Sequence, residues 1–161
     1  MSMFELKTVI QAPIEMCFDL ARSVDLHSES VAYTQERAVA GRTTGLLELG
    51  DEVTWEAKHF GMRHRLTSHI VEFDRPQRFV VAMISGPFAS HSHDFDFMTA
   101  RDGQTVMSEV FRFRSPWGIA GRIVDALFMT RHLKQLMRVR NEYLKQRAEQ
   151  METTREAVSQ E

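Results

Sequence analysis

The chain has a single cysteine, Cys17, among 161 residues. No internal disulfide can staple it, and cysteine usage of this kind fits a reducing compartment. It has no surplus of charge either: 20 Lys and Arg stand against 22 Asp and Glu, for a formal net charge of -2 at pH 7. That balance gives no reason to expect nucleic-acid binding. No apolar run approaches the roughly 20 residues needed to span a bilayer, so no integral membrane segment is expected. The start, "MSMFELKTVI", carries an acid and lacks the basic-then-apolar order of a signal peptide. Internal repeats, linkers and low-complexity tracts are absent. The glycine stretch "GRTTG", Gly41 to Gly45, lacks the Gly-Lys-Ser/Thr ending of a phosphate-binding loop and reads as a turn. What survives these exclusions is a soluble, cytoplasmic single domain, 43% hydrophobic and 26% charged, large enough to bury a real core.

What is present begins with a strand over 3–10, "MFELKTVI", ended by Ala12-Pro13. Pro13 is suited to open a helix, and Ile14, Cys17, Phe18 and Ala21 recur at three-to-four spacing. Cys17 lies on the apolar face of that helix and reads as a small core hydrophobe rather than a reactive thiol. A second short helix follows in "SVDLHSESV", with Ser23 or Asp25 as N-cap. Six runs rich in Val, Ile, Phe, Thr and Trp come next, at about 33–40, 51–60, 63–73, 78–86, 88–99 and 104–114. The turns between them are short, which implies an antiparallel, sequentially hairpinned sheet.

The last hairpin can be registered from the sequence. A three-residue loop at Arg101-Asp102-Gly103, with Gly103 left-handed, pairs Ala100 with Gln104. Phe97 then faces Met107, Phe95 faces Glu109, His93 faces Phe111 and His91 faces Phe113. Asp94, Asp96, Ser108 and Arg112 fall outside, with Asp94 and Arg112 as diagonal neighbours able to pair. A two-residue Asp102-Gly103 turn would flip one strand against the other. Beyond Ser115 and Pro116, a good N-cap and first-turn residue, the period becomes helical: Ile119, Ile123, Ala126, Leu127, Leu133, Leu136, Met137 and Leu144. The pattern predicts a helix to about Gln150, so that 1–150 is the domain and 151–161, "METTREAVSQE", a polar, disordered tail. Arg131, Lys134, Arg138, Arg140, Lys145 and Arg147 read as its solvated face, with a patch for anionic lipid headgroups or an acidic partner as the sharper alternative.

This order of elements resembles the START-like helix-grip architecture, the SRPBCC superfamily that includes the birch-pollen allergen family and polyketide cyclase/dehydrase-like proteins. The stretches "IQAPIEMCFDLARSVDLHSES", "ERAVAGRTTGLLELGDEVTWEAKHFG", "LTSHIVEFDRPQRF" and "FRFRSPWGIAGRIVDALFM" look like small bacterial SRPBCC proteins labelled ligand-binding or "cell division inhibitor"-like. The resemblance covers about residues 3–148. It implies an α+β fold in which a curved antiparallel sheet of about seven strands wraps a long C-terminal helix, with two short helices after the first strand. It also implies an apolar cavity between sheet and helix, of the kind in which relatives hold lipids, sterols, quinones or polyketides. No catalytic motif shared across the superfamily carries over, and fold does not settle function.

The chemistry-bearing residues cluster in "PFASHSHDFDFM", Pro87 to Met98, where period two puts His91, His93, Phe95 and Phe97 on one face. Glu109 shares that face. In "DEVTWEAKHFG", Val53, Trp55, Ala57 and His59 share another, marked as buried by Trp55. Four readings of the cluster compete. The imidazoles and Glu109 can orient the polar end of an apolar ligand, as ligand sites usually do. They can be hydrogen-bonded core histidines. A His–Glu109 pair, with His91 or His93, can act as general acid and base in a cyclase- or dehydrase-type enzyme. Or His91 and His93, completed by His59 or Glu109, can hold zinc. The first is preferred: no cofactor, no metal, catalysis not indicated, and a ligand bed of Trp55, His59, His91, His93, Phe95, Phe97, Glu109, Phe111 and Phe113. A protein partner is the alternative, in which the molecule is a regulator with an incidental cavity. Met83, Met98, Met107, Met129 and Met137 read as core or as a pliable cavity wall.

Overall fold

The structure, a computed structural model, describes residues 1–116, 118 and 128–160. Strand β1 (Ser2–Ile10) leads into helices α1 (Ile14–Ala21) and α2 (Val24–Ser30). Strands β2 (Arg37–Gly41), β3 (Glu52–His59), β4 (Met62–Asp74), β5 (Arg78–Ser85), β6 (Ser90–Thr99) and β7 (Thr105–Arg114) follow, and α3 (Thr130–Ser159) ends the chain. The strands form one curved antiparallel sheet in the order β1-β7-β6-β5-β4-β3-β2, so every pairing but one joins sequence neighbours. The exception brings β1 against β7 and places α1 and α2 over the same face as α3.

Local chemistry explains the boundaries. Pro13 occupies the N-cap of α1, and the Ser23 hydroxyl accepts from the Leu26 amide at 3.2 Å to cap α2. The β6–β7 register is the expected one, from His91 opposite Phe113 through Phe97 opposite Met107, and Ala100 donates to Gln104 across the loop at 2.7 Å. Arg112 donates to Asp94 on the outer face at 2.8 Å. Gly41 ends β2 at φ +73°, where a Cβ would lie 2.2 Å from the Glu52 carbonyl oxygen.

Three expectations need correction. The run from 33 does not begin as strand: Ala32–Thr34 is a 3-10 turn, Gln35 is left-handed, and pairing starts at Arg37. Helix α3 continues past Gln150 to Ser159, carried by local contacts rather than an apolar stripe; Arg155 pairs with Glu152, and the Thr153, Thr154 and Ser159 hydroxyls each donate to the carbonyl four residues back. Met98 is 64% exposed, because the alternation that turns Phe97 inward turns Met98 out. Ile119, Ile123, Ala126 and Leu127 lie outside the described residues. Among those described, no helix is long and apolar enough to cross a membrane.

The main core packs Phe18 of α1 edge-on against Phe73, Phe79 and Phe97 of the sheet, with ring centroids 5.3–5.4 Å apart. Cys17 is buried there, and burial pushes its thiol up to about 11. A second cluster joins Phe4, Phe111 and Phe113 to Leu136 and Met137 of α3. Side chains leave part of the space between the two layers unfilled.

Candidate functional site

The gap between the cores is a cavity of about 210 Å³. Its wall is mainly apolar, with Trp55, Phe79, Phe95, Phe111, Leu136 and Met137 among its residues. Six of the seven histidines nevertheless reach it: His27, His59, His64, His91, His93 and His132.

The most enclosed of them belongs to a complete polar cluster. Alternation in β6 and β7 turns His93 and Glu109 inward, and His93 Nε2 lies 3.0 Å from Glu109 Oε1. Arg140 and Asn141, adjacent on α3, close on the same carboxylate: Arg140 Nη2 donates to Oε1 and Asn141 Nδ2 to Oε2. Arg140 also donates to Asn141 Oδ1, from Nε at 3.3 Å and Nη2 at 3.1 Å, and its guanidinium lies 5.0 Å from the Phe95 ring centre. Glu109 is 2% exposed and Arg140 4%. Burial by itself would raise the Glu109 carboxyl; the Arg140 charge and the bonds from His93 and Asn141 outweigh it and hold the group below its ordinary value. Burial takes His93 the other way, below an ordinary histidine, and Glu109 offsets that only in part.

His91 is the opposite case. Its ring packs 4.5 Å from Phe111 and 6.0 Å from Phe88, and both its nitrogens are enclosed without a hydrogen-bond partner among the described residues. Burial, reinforced by His93, lowers its pKa to about 3, so the ring is neutral at pH 7. Across the cavity, His27 of α2 bonds Glu36 through Nε2 and packs on Trp55 at 4.3 Å. Burial opposes ionisation of Glu36, but His27 and the more distant His59 and Arg140 hold its carboxyl low. A third polar group joins β3 to the first turn of α3, where His59 Nδ1 lies 3.2 Å from His132 Nε2, with Phe60 beside the latter. Burial lowers both of these rings.

Of the nine residues the sequence points to, Trp55, His59, His91, His93, Phe95 and Phe111 line the cavity. Phe97, Phe113 and Glu109 do not. Phe97 is covered by Phe18 of α1, Phe113 by Phe88 from the β5–β6 connection, and Glu109 stands behind His93. Sequence reasoning also misassigns Arg140, which is buried beneath the helix instead of belonging to its solvated face. The signal was present: Arg140 falls three residues after Met137 and four before Leu144, inside the apolar stripe. Asn141, His27, Glu36, His64 and His132 were not singled out at all. Among the described residues no three His, Cys, Asp or Glu side chains converge as metal ligands, and His59 pairs with His132 instead of joining His91 and His93. What the arrangement can do is enclose a small apolar body and offer it a few fixed donors and acceptors.

No protein-family model and no curated protein matches the chain. Solved structures do. A protein from Thermus thermophilus superposes with a TM-score of 0.68 at 16% identity, covering 89% of this chain and 97% of that one. A START superfamily protein from Mycobacterium smegmatis gives 0.67 at 10% identity, with 92% and 98% covered. The ginseng major latex-like protein 151 from Panax ginseng gives 0.66 at 12%, with 91% and 97% covered. The chain therefore has the START/SRPBCC helix-grip fold.

Proposed function

Starting from that fold, we propose that the protein binds or carries a hydrophobic small molecule in the cavity between sheet and α3. The observation that carries this reading is His91: an imidazole with both nitrogens enclosed and, among the described residues, unpartnered, on the wall of a mainly apolar cavity. A buried polar group without a partner costs roughly 1–3 kcal/mol. A group that serves only to fill a core gains nothing from that cost, whereas one that meets a ligand recovers it on binding. The classes implied by the resemblance, lipid, quinone or polyketide-like, all combine an apolar body with a polar end.

A cyclase- or dehydrase-type enzyme is the second reading, and the His93–Glu109 pair favours it. Against it stands the chemistry of that pair. Arg140 already neutralises Glu109, and burial lowers His93, so the pair does not make the ring more basic, as a general base would require. Native mass spectrometry of freshly purified protein, followed by denaturing extraction, tests the binding reading. A co-purifying organic molecule, or stoichiometric uptake of an apolar dye, is expected. Clean apo protein that takes up no apolar probe sinks the reading in favour of a partner-binding module. Turnover of a bound compound that His93→Gln abolishes would favour the enzyme.

A further inference from the structure

We propose that the His93–Arg140 end of the cavity reads a hydroxyl group on a compact ring compound, His93 Nδ1 accepting the hydroxyl proton and Arg140 Nη1 donating to the hydroxyl oxygen. This rests on the cavity-binding reading and narrows it to a ligand class.

The tautomer of His93 follows from hydrogen-bond accounting. Glu109 receives Arg140 Nη2 and His93 Nε2 on Oε1 and Asn141 Nδ2 on Oε2, so both its oxygens act as acceptors. The group is then a carboxylate, and Arg140 already balances its charge. His93 must donate through Nε2, and a neutral ring that donates there carries a lone pair on Nδ1. Nδ1 has no hydrogen-bond partner among the described residues, and the ring lines the cavity. A closed acid–base account therefore leaves one acceptor over.

Arg140 leaves a donor over. Its Nε and Nη2 are taken by Asn141 and Glu109, while Nη1 has no partner among the described residues, and this side chain also lines the cavity. The free acceptor and the free donor sit on two side chains that meet at one Glu109 oxygen. Both are within reach of Phe95, whose ring lies 4.0 Å from His93 and 5.0 Å from the Arg140 guanidinium. A hydroxyl answers both needs, its proton going to Nδ1 and its oxygen accepting from Nη1. A carboxylate answers only Arg140 and presents negative charge to the Nδ1 lone pair, with Glu109 and Glu36 nearby.

Size sets the other half of the class. An apolar cavity of about 150 Å³ holds benzene, and drug-sized pockets run from about 300 Å³ upward. At about 210 Å³ this cavity suits one ring or two fused rings, not a sterol or a long acyl chain. Phe79, Phe95 and Phe111 supply flat aromatic walls for such a body.

Equilibrium dialysis of the full chain against 2-naphthol, 2-methoxynaphthalene, naphthalene and 2-naphthoate tests the proposal. The four share one ring system and differ only at the polar group. The naphthol is expected to bind about tenfold more tightly than its methyl ether, the gain from one well-made buried hydrogen bond. In His93→Phe a ring stays in place but the Nδ1 lone pair is gone, while Glu109 keeps Arg140 and Asn141, so the naphthol should lose its advantage and bind no more tightly than the ether. A thermal melt checks that this variant is folded; if it is not, the naphthol–ether contrast in the unmodified protein decides alone. Equal or tighter binding of the ether or the naphthoate overturns the hydroxyl assignment and leaves cavity binding standing. Tighter binding of hexadecanol than of naphthol overturns the size limit. If none of the four binds and no apolar dye is taken up, the cavity-binding reading itself fails.

Discussion

The two faces of strands β6 and β7 carry the same kind of charged pair under opposite conditions. On the outer face Asp94 accepts from Arg112 at 2.8 Å and from Arg78 at 3.0 Å, with both arginines about one-third exposed. On the inner face Glu109 meets Arg140 with almost no exposure of either. Water can replace any member of the outer network, so its members are individually dispensable. Nothing can replace a member of the inner cluster, because removing one partner strands a desolvated charge. The contrast explains why Glu109 recruits three separate side chains, whereas His91, which carries no charge, can be left without any.

The sharpest way to break the contrast is Arg140→Met. It leaves the Glu109 carboxylate buried without a counter-charge and should cost about 3–5 kcal/mol in chemical denaturation. Adding Glu109→Gln should restore much of that loss; failure of the double change to recover stability would mean that Arg140 acts through packing instead.

A smaller effect of opposite sign is expected for His91→Phe. Deleting two enclosed, unpartnered nitrogens beside Phe88 and Phe111 should stabilise the apo protein by roughly 1 kcal/mol at pH 7. The same variant sharpens the pH dependence. The His91 pKa is about 3 in the folded protein against 6.5 ordinarily, so the unfolded chain binds the extra proton between those values. Stability must then fall as pH drops from about 6.5 toward 3, and His91→Phe should flatten that slope. The depressed Glu109 carboxyl acts in the same direction, its contribution present near neutrality and lost as pH falls through its folded pKa, so some slope should remain. Identical acid limbs in the two proteins would contradict a neutral, buried His91.

On the outer face, Arg112→Ala should cost less than about 1 kcal/mol, and the loss should shrink as salt is added. Smallest of all, truncation after Gln150 should change stability by no more than about 0.5 kcal/mol, since Val158 and most of the removed turns are exposed and Ala148 already closes the core. A large loss there would show that the helix end supports the body in a way its exposure does not reveal.

How much of this was legible beforehand depended on the range of the interaction. The β6–β7 register followed from Gly103, the loop length and the alternation of Phe and His, because a one-residue slip would have exposed the phenylalanines of one of the two strands. Ser23, one of two candidate caps beside Asp25, and Trp55 as the marker of an inward face were likewise local. Arg140 was not: helical periodicity put it on the buried stripe, but charge argued for solvent, and only the partner Glu109, 31 residues away, resolves the conflict. Phe97 and Phe113 were rightly turned inward yet fill the core, because what covers them comes from α1 and from the β5–β6 connection.

By itself, then, the sequence determined the order of strands and helices, the inward faces of β3, β6 and β7 and the absence of any surplus charge. These depend on spacings of two to four residues and on composition, which survive in an extended chain. Only the tertiary structure decided which inward residues touch empty space, which histidines have partners, and that Glu109 shares its two acceptor oxygens among donors from β6 and α3. Those outcomes require elements far apart in the chain to approach within hydrogen-bond distance, and no local periodicity encodes how closely two layers will meet.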